Sequence, residues 1–176
     1  MSLPVVRLKQ SEPSPLYASR PVLNAAEIIE WASAQGFKST LPAEDIHVTV
    51  AFSRNSVDVE RVPLTAPELS AVGGVRIVSP LGVEGAVVLK FDCPELQVRW
   101  EQYIVAGASW DWDSYQPHIT ITYDGAGVDL SKVQPFLGAI VLGQESTQPL
   151  NLDKKDEYVE APTSKAVGKV VRIKNA

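Results

Sequence analysis

The sequence predicts an α+β fold in which the order helix, loop, strand occurs twice. Two segments, 25–35 and 92–107, place apolar residues at helical spacing, and each leads through a loop into a short apolar strand that contains a histidine. Between them, residues 75–91 hold two β-rich runs that are typical of a hairpin. The two halves share their order of elements and not their residues, so the repeat lies in the architecture.

Length and composition predict one folded domain. The chain of 176 residues is 45% apolar and 21% charged, which is typical of a globular protein with a single core. We expect a flexible lead-in at 1–14, a folded domain at 15–153 and a basic segment at 154–176. For the last segment, a linker, a late strand and the start of a further unit all stay open.

Cysteine usage and hydropathy predict a reducing, cytoplasmic setting. The lone Cys93 has no partner for an internal disulfide, and no apolar run approaches the ~20 residues of a membrane span. The N-terminal segment lacks the apolar core of a signal peptide. We therefore expect no membrane as a partner, while the oligomeric state stays open.

Charge is divided unevenly along the chain. Residues 1–153 carry 10 Lys and Arg against 18 Asp and Glu, whereas residues 154–176 carry 6 against 3. A protein that binds long nucleic acid neutralises its phosphates with a basic face, and the expected domain is acidic. The balance argues against long nucleic acid as a partner and favours a small phosphate compound bound by local donors.

The first half begins with a short predicted strand, "PLYASRPVLN", at 15–24. Asn24 is predicted to cap the following helix, which has an acidic first turn at Glu27 and ends before Gly36, where a left-handed glycine is favourable. The loop "FKSTLPAED" then leads into the first histidine strand, "IHVTVAFS".

The second half begins with the predicted hairpin, whose runs are "VRIVSPLGV" and "AVVLKFD". Asp92 is predicted to cap the second helix, with Pro94 in its first turn. The aromatic loop "ASWDWDSYQP" leads into the second histidine strand, "HITITYD". A short helix near 129–136 and a strand near 138–143 are expected after it.

Both histidines of the chain have a threonine two positions later, in "HVTV" and in "HITI". Strand residues i and i+2 point to the same face, so His47 projects with Thr49, and His118 with Thr120, above an apolar back. With 7 threonines in 176 positions, chance would produce both pairs in about one case in 600. Two imidazoles can act as general base and general acid in one step, and hydroxyls can donate to phosphate oxygens. The pattern favours metal-free phosphoryl transfer.

The doubled motif resembles the 2H phosphoesterase superfamily, named for two H-x-[ST]-x motifs on strands in a bilobal fold with an internal pseudo-two-fold. The resemblance covers about residues 15–150. The stretch "PLYASRPVLNAAEIIEWASAQGFKSTLPAEDIHVTVAFSR" is similar to the phage anti-CBASS branch. Members of that branch degrade the cyclic oligonucleotides that bacteria make as antiphage signals.

The resemblance implies two antiparallel-sheet lobes with flanking helices around a central cleft. It also implies a phosphodiesterase that opens the 3′–5′ linkages of cyclic di- or trinucleotides, such as 3′,3′-cGAMP, in the host bacterial cytoplasm without a metal or cofactor. By the same resemblance, His47 and His118 exchange protons with the reacting groups, and Thr49 and Thr120 hold the phosphate. Which histidine is the base stays open.

Three further residues are candidates for binding the substrate. Tyr17 sits where the branch has an aromatic residue near the nucleotide, and stacking of a base on an aromatic ring contributes about 1–3 kcal/mol. Glu145 resembles an acidic residue of the branch that accepts hydrogen bonds from a base edge. Trp112 lies in the aromatic loop before the second motif. Arg20 and Arg54 are expected on the surface.

Two other functions stay open. The first is a 2′,3′-cyclic phosphodiesterase or RNA-end-processing enzyme of the same superfamily, against which the acidic domain argues. The second is a sponge that binds cyclic nucleotides without cleaving them, for which paired histidines are unnecessary. A metal site is disfavoured, because two histidines on separate strands without nearby cysteines or paired carboxylates fall short of a usual ligand set.

Overall fold

The structure is a computed structural model that describes residues 14–150 and the backbone of residues 170–173. Its elements are, in chain order, β1 (Ser14–Pro21), α1 (Ala25–Ala34), β2 (His47–Val57), β3 (Leu69–Ala71), β4 (Gly74–Pro80), β5 (Val87–Phe91), α2 (Pro94–Val105), β6 (His118–Thr122), β7 (Ile140–Leu142), β8 (Ser146–Pro149) and β9 (Val170–Ile173). Seven strands form an antiparallel sheet in the order β8-β1-β2-β6-β5-β4-β9, and β3 pairs with β7. The predicted α+β class is confirmed.

The large sheet consists of two halves that meet between β2 and β6. One half holds β8, β1 and β2, and the other holds β6, β5, β4 and β9. The register pair Val48 and Ile119 joins them. The two predicted lobes are therefore halves of one continuous sheet, with both histidine strands at its centre.

The back of the sheet is apolar and packs against both helices. Ile46, Val48 and Val50 in the first histidine segment, and Ile119 and Ile121 in the second, are at most 1% exposed. Burial of such a side chain stabilises a fold by about 1.5–3 kcal/mol. The helices add to the same core Ala25, Ile28, Ala32, Leu96 and Tyr103. Because the helices cover the back, the front face that carries the histidines is left for a ligand.

The pairing of β1 with β2 shifts by one residue at Val50, which is an extra residue on β2. Val50 and Ala51 consequently both lie in the main core. Phe52 then joins the front face, where it packs edge-on against Tyr17 with ring centroids 6.5 Å apart. The shift therefore builds an aromatic edge beside the first histidine.

The hairpin predicted at 75–91 is confirmed as the pair β4 and β5. Its turn contains Gly85, whose φ of 89° is in the left-handed region. A Cβ at this position would lie 2.5 Å from the carbonyl oxygen of Tyr123. The Gly85 carbonyl also accepts a 2.8 Å hydrogen bond from the N–H of Gly125, so the close approach fixes the hairpin against the end of β6.

Asn24 occupies the predicted N-cap position of α1, but its side chain makes no capping hydrogen bond. Instead its amide accepts from the N–H of Val141 at 2.9 Å and donates to the carbonyl of Ala139 at 2.7 Å. These partners tie the start of α1 to β7, so a tertiary contact replaces the local one.

The predicted cap of the second helix is wrong by one residue. Cys93 occupies the cap position of α2, and Pro94 begins the helix. The carboxylate of Asp92 accepts from the N–H of Val75 at 2.8 Å, which joins β4 to the end of β5. The short helix predicted near 129–136 is only a 3₁₀ turn at Leu130–Lys132, with Asp129 as its cap. Pro135 disfavours a longer helix, since it lacks an N–H group and restricts the residue before it.

The surface position expected for Arg20 is wrong, since this side chain is 0% exposed. Its guanidinium donates to the carbonyl of Gly143 at 2.9 Å, to the carbonyl of Ala66 at 2.7 Å and to the hydroxyl of Thr65 at 3.0 Å. Burial lowers the pKa of Arg20. This arginine holds two loops against β1. Arg54 stays partly exposed and pairs with Asp111 at 2.8 Å.

The two ends of the chain fall mostly outside the described residues. Of the predicted lead-in at 1–14, only Ser14 is described, and it begins β1. Most of the basic segment also falls outside. Of that segment, residues 170–173 form β9, which pairs with β4 and matches the late-strand alternative. In the described ranges, no helix is both long and apolar enough to cross a membrane.

Candidate active site

The register between β2 and β6 brings both His-x-Thr motifs onto one patch of the sheet. Val48 is paired with Ile119, and neighbours in an antiparallel pair alternate between the two faces. One step from this pair, His47 lies opposite Thr120, and Thr49 lies opposite His118. Directly opposite residues share a face with Cβ atoms about 4.5–5.5 Å apart. The structure thus brings the four predicted residues together around a local two-fold.

Both imidazoles are held in the same way. Nδ1 of His47 lies 2.7 Å from the carbonyl oxygen of Asp45, and Nδ1 of His118 lies 2.8 Å from the carbonyl oxygen of Gln116. A carbonyl oxygen only accepts, so each Nδ1 carries its proton. Nε2 is then the nitrogen of each ring that can take up or release a proton. In each half the anchoring carbonyl belongs to the residue two positions before the histidine.

Burial differs between the two halves of the patch. His118 is 8% exposed, Thr120 is 6% exposed and Thr49 is 3% exposed, whereas His47 is half-buried. Hydrogen bonds and charges act more strongly where water is excluded. Both threonines are buried, so the difference lies in the histidines, and His118 has drier surroundings than His47.

Tyr17 belongs to the patch through its hydroxyl as well as its ring. The hydroxyls of Tyr17 and Thr49 lie 2.7 Å apart, and the two rings of Tyr17 and His47 meet edge-on at 6.3 Å. Tyr17 is 5% exposed, so these contacts are buried. The structure thus places the predicted substrate-binding tyrosine next to the first motif, where it orients the threonine hydroxyl.

A second tyrosine supports the same threonine from its backbone side. The hydroxyl of Tyr115 donates to the carbonyl of Thr49 at 2.7 Å in the protein interior. Its ring stacks on Trp100, with centroids 5.7 Å apart and planes 9° apart. Trp100 lies on α2, so this stack connects the helix to the first histidine strand.

An open cavity of about 890 Å³ lies beside His47. This volume falls in the range of about 300–1,000 Å³ found for small-molecule sites. Eight of its ten lining residues have polar side chains, and the lining consists of Ser19, Pro21, Leu41, Glu44, Asp45, His47, Tyr123, Gln144, Ser146 and Gln148. The sequence analysis did not identify Gln144 and Ser146 as candidates. It named Glu145, which lies between them in the chain.

Glu145 is not brought to this cavity. Its carboxylate lies 2.7 Å from Nη2 of Arg99 and accepts from the hydroxyl of Tyr103 at 2.8 Å. The side chains of Arg99 and Glu145 are 8% and 5% exposed. Burial, together with this carboxylate, raises the pKa of Tyr103. These contacts favour a structural role for Glu145 over the predicted contact with a base edge.

Trp112 lies near the second histidine. Its ring meets Phe52 at 5.6 Å and Trp110 at 4.8 Å, and it lines a small cavity together with His118 and Lys90. The structure therefore brings Trp112 to the patch, and its binding role stays a prediction. Lys90, which sequence reasoning missed, is the residue of β5 paired with His118.

Neither a metal cluster nor a reactive thiol is found in the part of the chain that the structure describes. No group of three or more His, Cys, Asp or Glu side chains there could hold a metal ion. Cys93 is buried, and this burial raises the pKa of its thiol to about 11.

Comparison with known proteins agrees with this architecture. A crystal structure of a phosphoesterase matches with a TM-score of 0.52 and 16% identity, covering 77% of this chain and 87% of that one. A crystal structure of E. coli LigT complexed with 3′-AMP matches with a TM-score of 0.50 and 16% identity, covering 80% of this chain and 97% of that one. Both likenesses concern the fold, and the predicted 2H phosphoesterase-like fold is confirmed.

Sequence relatives carry a single name. An anti-CBASS protein Acb1 of Sphingomonas paeninsulae is 49% identical over 140 residues, which are 76% of this chain and 22% of the relative. The protein of that name from Vibrio phage KVP40 is 34% identical over 128 residues, which are 72% of this chain and 80% of the relative. The chain thus spans about a fifth of the length of the first relative.

The family model described as "Anti-CBASS protein Acb1" matches residues 14–157, which include both histidine strands and the whole of the large cavity. Six of the seven strands of the large sheet and both helices fall within this range. The chain belongs to the anti-CBASS protein Acb1 family.

Proposed function

We propose that this domain is a phosphodiesterase that opens the 3′–5′ linkages of cyclic di- or trinucleotide signals, with 3′,3′-cGAMP as a representative substrate. In this role it would act in the host bacterial cytoplasm and let a phage evade CBASS immunity. One observation carries the proposal: the pairing of Val48 with Ile119 puts both His-x-Thr motifs on one face, around a local two-fold. Membership of the anti-CBASS family supports the choice of substrate.

The two-fold arrangement suits in-line displacement at phosphorus. A phosphate centred between the strands has one imidazole on each side, so one Nε2 faces the attacking oxygen and the other faces the leaving oxygen. Such general acid–base catalysis contributes about 10²–10⁴ in rate. The hydroxyls of Thr49 and Thr120 lie across the other diagonal, where they donate to the non-bridging oxygens and stabilise the charge that develops there.

The reaction transfers two protons between the substrate and the histidines and consumes no other reactant. One histidine takes the proton of the ribose 2′-OH, the 2′ oxygen forms a bond to phosphorus, and the bond from phosphorus to the 5′ oxygen breaks. The second histidine gives its proton to that 5′ oxygen. The ring opens to a chain that ends in a 2′,3′-cyclic phosphate, and exchange of one proton with water resets the pair.

The cavity beside His47 supports a substrate larger than a single phosphate. Its volume of about 890 Å³ has room for a nucleotide beyond the reacting phosphate. Its lining offers amide, hydroxyl and carboxylate groups, including Gln144, Ser146 and Glu44. These are the donors and acceptors that a base edge requires.

The test is incubation of the protein with 3′,3′-cGAMP, and separately with a 2′,3′-cyclic mononucleotide, in EDTA, followed by chromatography and mass spectrometry. The proposal predicts a linear product that has either the mass of the substrate or that mass plus one water. His47→Gln and His118→Gln should slow its formation by about 10²–10⁴, and Thr49→Val and Thr120→Val should slow it less. Thr147→Val, the same change on an exposed position of β8, is the matched control.

The two alternatives appear as distinct outcomes. Opening of the mononucleotide alone would make the domain a 2′,3′-cyclic phosphodiesterase. Recovery of intact 3′,3′-cGAMP from the denatured complex would make it a sponge, and the proposal would then be overturned.

A further inference from the structure

Lys90 is the residue of β5 that lies directly opposite His118. Their Cα atoms are register partners in the antiparallel pair of β5 and β6, so both side chains project from the front face. Both line the same small cavity, together with Trp112. A cation is therefore built into the face that carries the histidines, about one strand spacing from the second histidine.

No hydrogen bond or ion pair is found for the Lys90 ammonium within residues 14–150, although the side chain is half-buried. The residues that line its cavity include no carboxylate. Burial lowers the pKa of Lys90, and no opposing charge offsets that effect. Removing a charge from water without a partner costs free energy. An ammonium kept in such a place is suited to an anion that arrives with the ligand.

The other half of the site lacks this charge. Around the local two-fold, the counterpart of Lys90 is Pro21, which is the β1 partner of His47. The cavity at His47 is lined instead by the carboxylates of Glu44 and Asp45. The strands around the two histidines are thus arranged nearly symmetrically, while the charges beside them differ. The positive charge of Lys90 lies beside His118, which is the more buried histidine.

We propose that Lys90 binds a non-bridging oxygen of the scissile phosphate from the His118 side, while a nucleobase fills the cavity beside His47. This inference rests on the proposed function, because it assigns an orientation to the same substrate. It makes Lys90 a phosphate-binding residue in addition to the two threonines. A lysine suits this role as a compact point charge.

The test compares Lys90→Met, which keeps the apolar stem and removes the charge, with Lys90→Arg, which keeps the charge. Lys132→Met is the matched control, since Lys132 is exposed and has only a 3.9 Å contact with Asp129. The probe is inorganic phosphate, titrated by ³¹P NMR line broadening at two salt concentrations. Cleavage of 3′,3′-cGAMP and the thermal midpoint of each variant are measured in parallel.

Lys90→Met is expected to weaken phosphate binding by about 10- to 100-fold, as for the loss of a charged hydrogen-bond partner, and to lower kcat/KM by a similar factor. Lys90→Arg should keep most of the phosphate binding and most of kcat/KM. Lys132→Met should change neither quantity. The thermal midpoint of Lys90→Met should be equal to or above that of the unchanged protein, since a half-buried charge without a partner has been removed.

Phosphate binding unchanged in Lys90→Met would overturn the inference, as would a lowered midpoint that accounts for the lost binding. If phosphate binding depends on Lys90 while 3′,3′-cGAMP stays intact, the inference stands and the proposed function fails. If 3′,3′-cGAMP is cleaved equally by all variants, the function stands and the role of Lys90 is rejected.

Discussion

Val48 and Ile119 are register partners in the antiparallel pair that joins the two halves of the sheet. Both side chains are buried in the core, at 0% exposure. This apolar contact determines the site, because it decides which residues lie opposite one another on the front face. A slip of one residue would turn one motif into the core. The geometry of the candidate site therefore depends on two residues that lie in the core.

The two histidines are expected to behave as one unit. His47→Gln and His118→Gln should each lower kcat for 3′,3′-cGAMP by about 10²–10⁴. The double variant should be little worse than either single one, because residues that act in the same step are not additive. Steady-state rates of the three variants test this, and losses that multiply in the double variant would show that the two act independently.

Tyr17→Phe is expected to lower activity without unfolding the protein. The change removes the hydroxyl 2.7 Å from that of Thr49 and leaves the threonine free to turn away from the phosphate. We expect kcat/KM to fall about tenfold, with a cost of about 0.5–1.5 kcal/mol in the free energy of unfolding. Rate and denaturant measurements give both quantities.

Tyr103→Phe is the matched control for this prediction. It removes a buried hydroxyl that donates to Glu145 at 2.8 Å, away from the cavity. It should lower stability by about 1–3 kcal/mol and leave kcat/KM unchanged at a temperature where the variant is folded. An equal loss of activity in both variants would contradict the special role of Tyr17.

Glu145→Gln is expected to affect stability and not substrate binding. The carboxylate is paired with Arg99 at 2.7 Å and is almost fully buried. Breaking such a pair costs about 3–5 kcal/mol, because the remaining charge loses its partner. Denaturant unfolding measures this loss, and KM for 3′,3′-cGAMP should stay the same. Asp111→Asn, which breaks the more exposed pair with Arg54, should change stability little.

A raised KM in Glu145→Gln with unchanged stability would contradict that account. It would instead support the contact with a base edge that the sequence predicts.

Stability should decrease at high pH because of Cys93. Burial raises the pKa of this thiol to about 11, above its ordinary value near 9. The neutral thiol is favoured in the folded state, so its contribution is complete below pH 9 and is lost as the pH rises through about 11. Cys93→Ala should show a smaller decrease in the free energy of unfolding over this range. Equal pH dependence in both proteins would contradict the assignment.

The central site could be predicted because its pattern is local. Alternation along a strand relates His47 to Thr49 and His118 to Thr120 without any knowledge of the partner strand. The apolar residues between them predict the buried back, which the structure confirms. The hairpin and both helices are visible for the same reason, since their periodicity lies within one segment.

The remaining features depend on contacts between distant segments. The position of Lys90 beside His118 follows from the register of β5 and β6, and no local pattern reveals it. Glu145 has polar neighbours on both sides, so alternation alone cannot decide which of them faces the cavity. Asn24 and Asp92 are residue types that are favoured at the start of a helix. In the structure their side chains accept hydrogen bonds from backbone N–H groups of other strands.

The measurement that tests the paired-histidine mechanism most directly uses a cyclic dinucleotide with sulfur in place of the 5′ bridging oxygen. A thiolate leaves without being protonated, so the histidine that acts as the acid becomes unnecessary. The account predicts that cleavage of this analogue is restored in only one of His47→Gln and His118→Gln, and that variant identifies the acid. Restoration in both variants, or in neither, would contradict a division of the two histidines into one base and one acid.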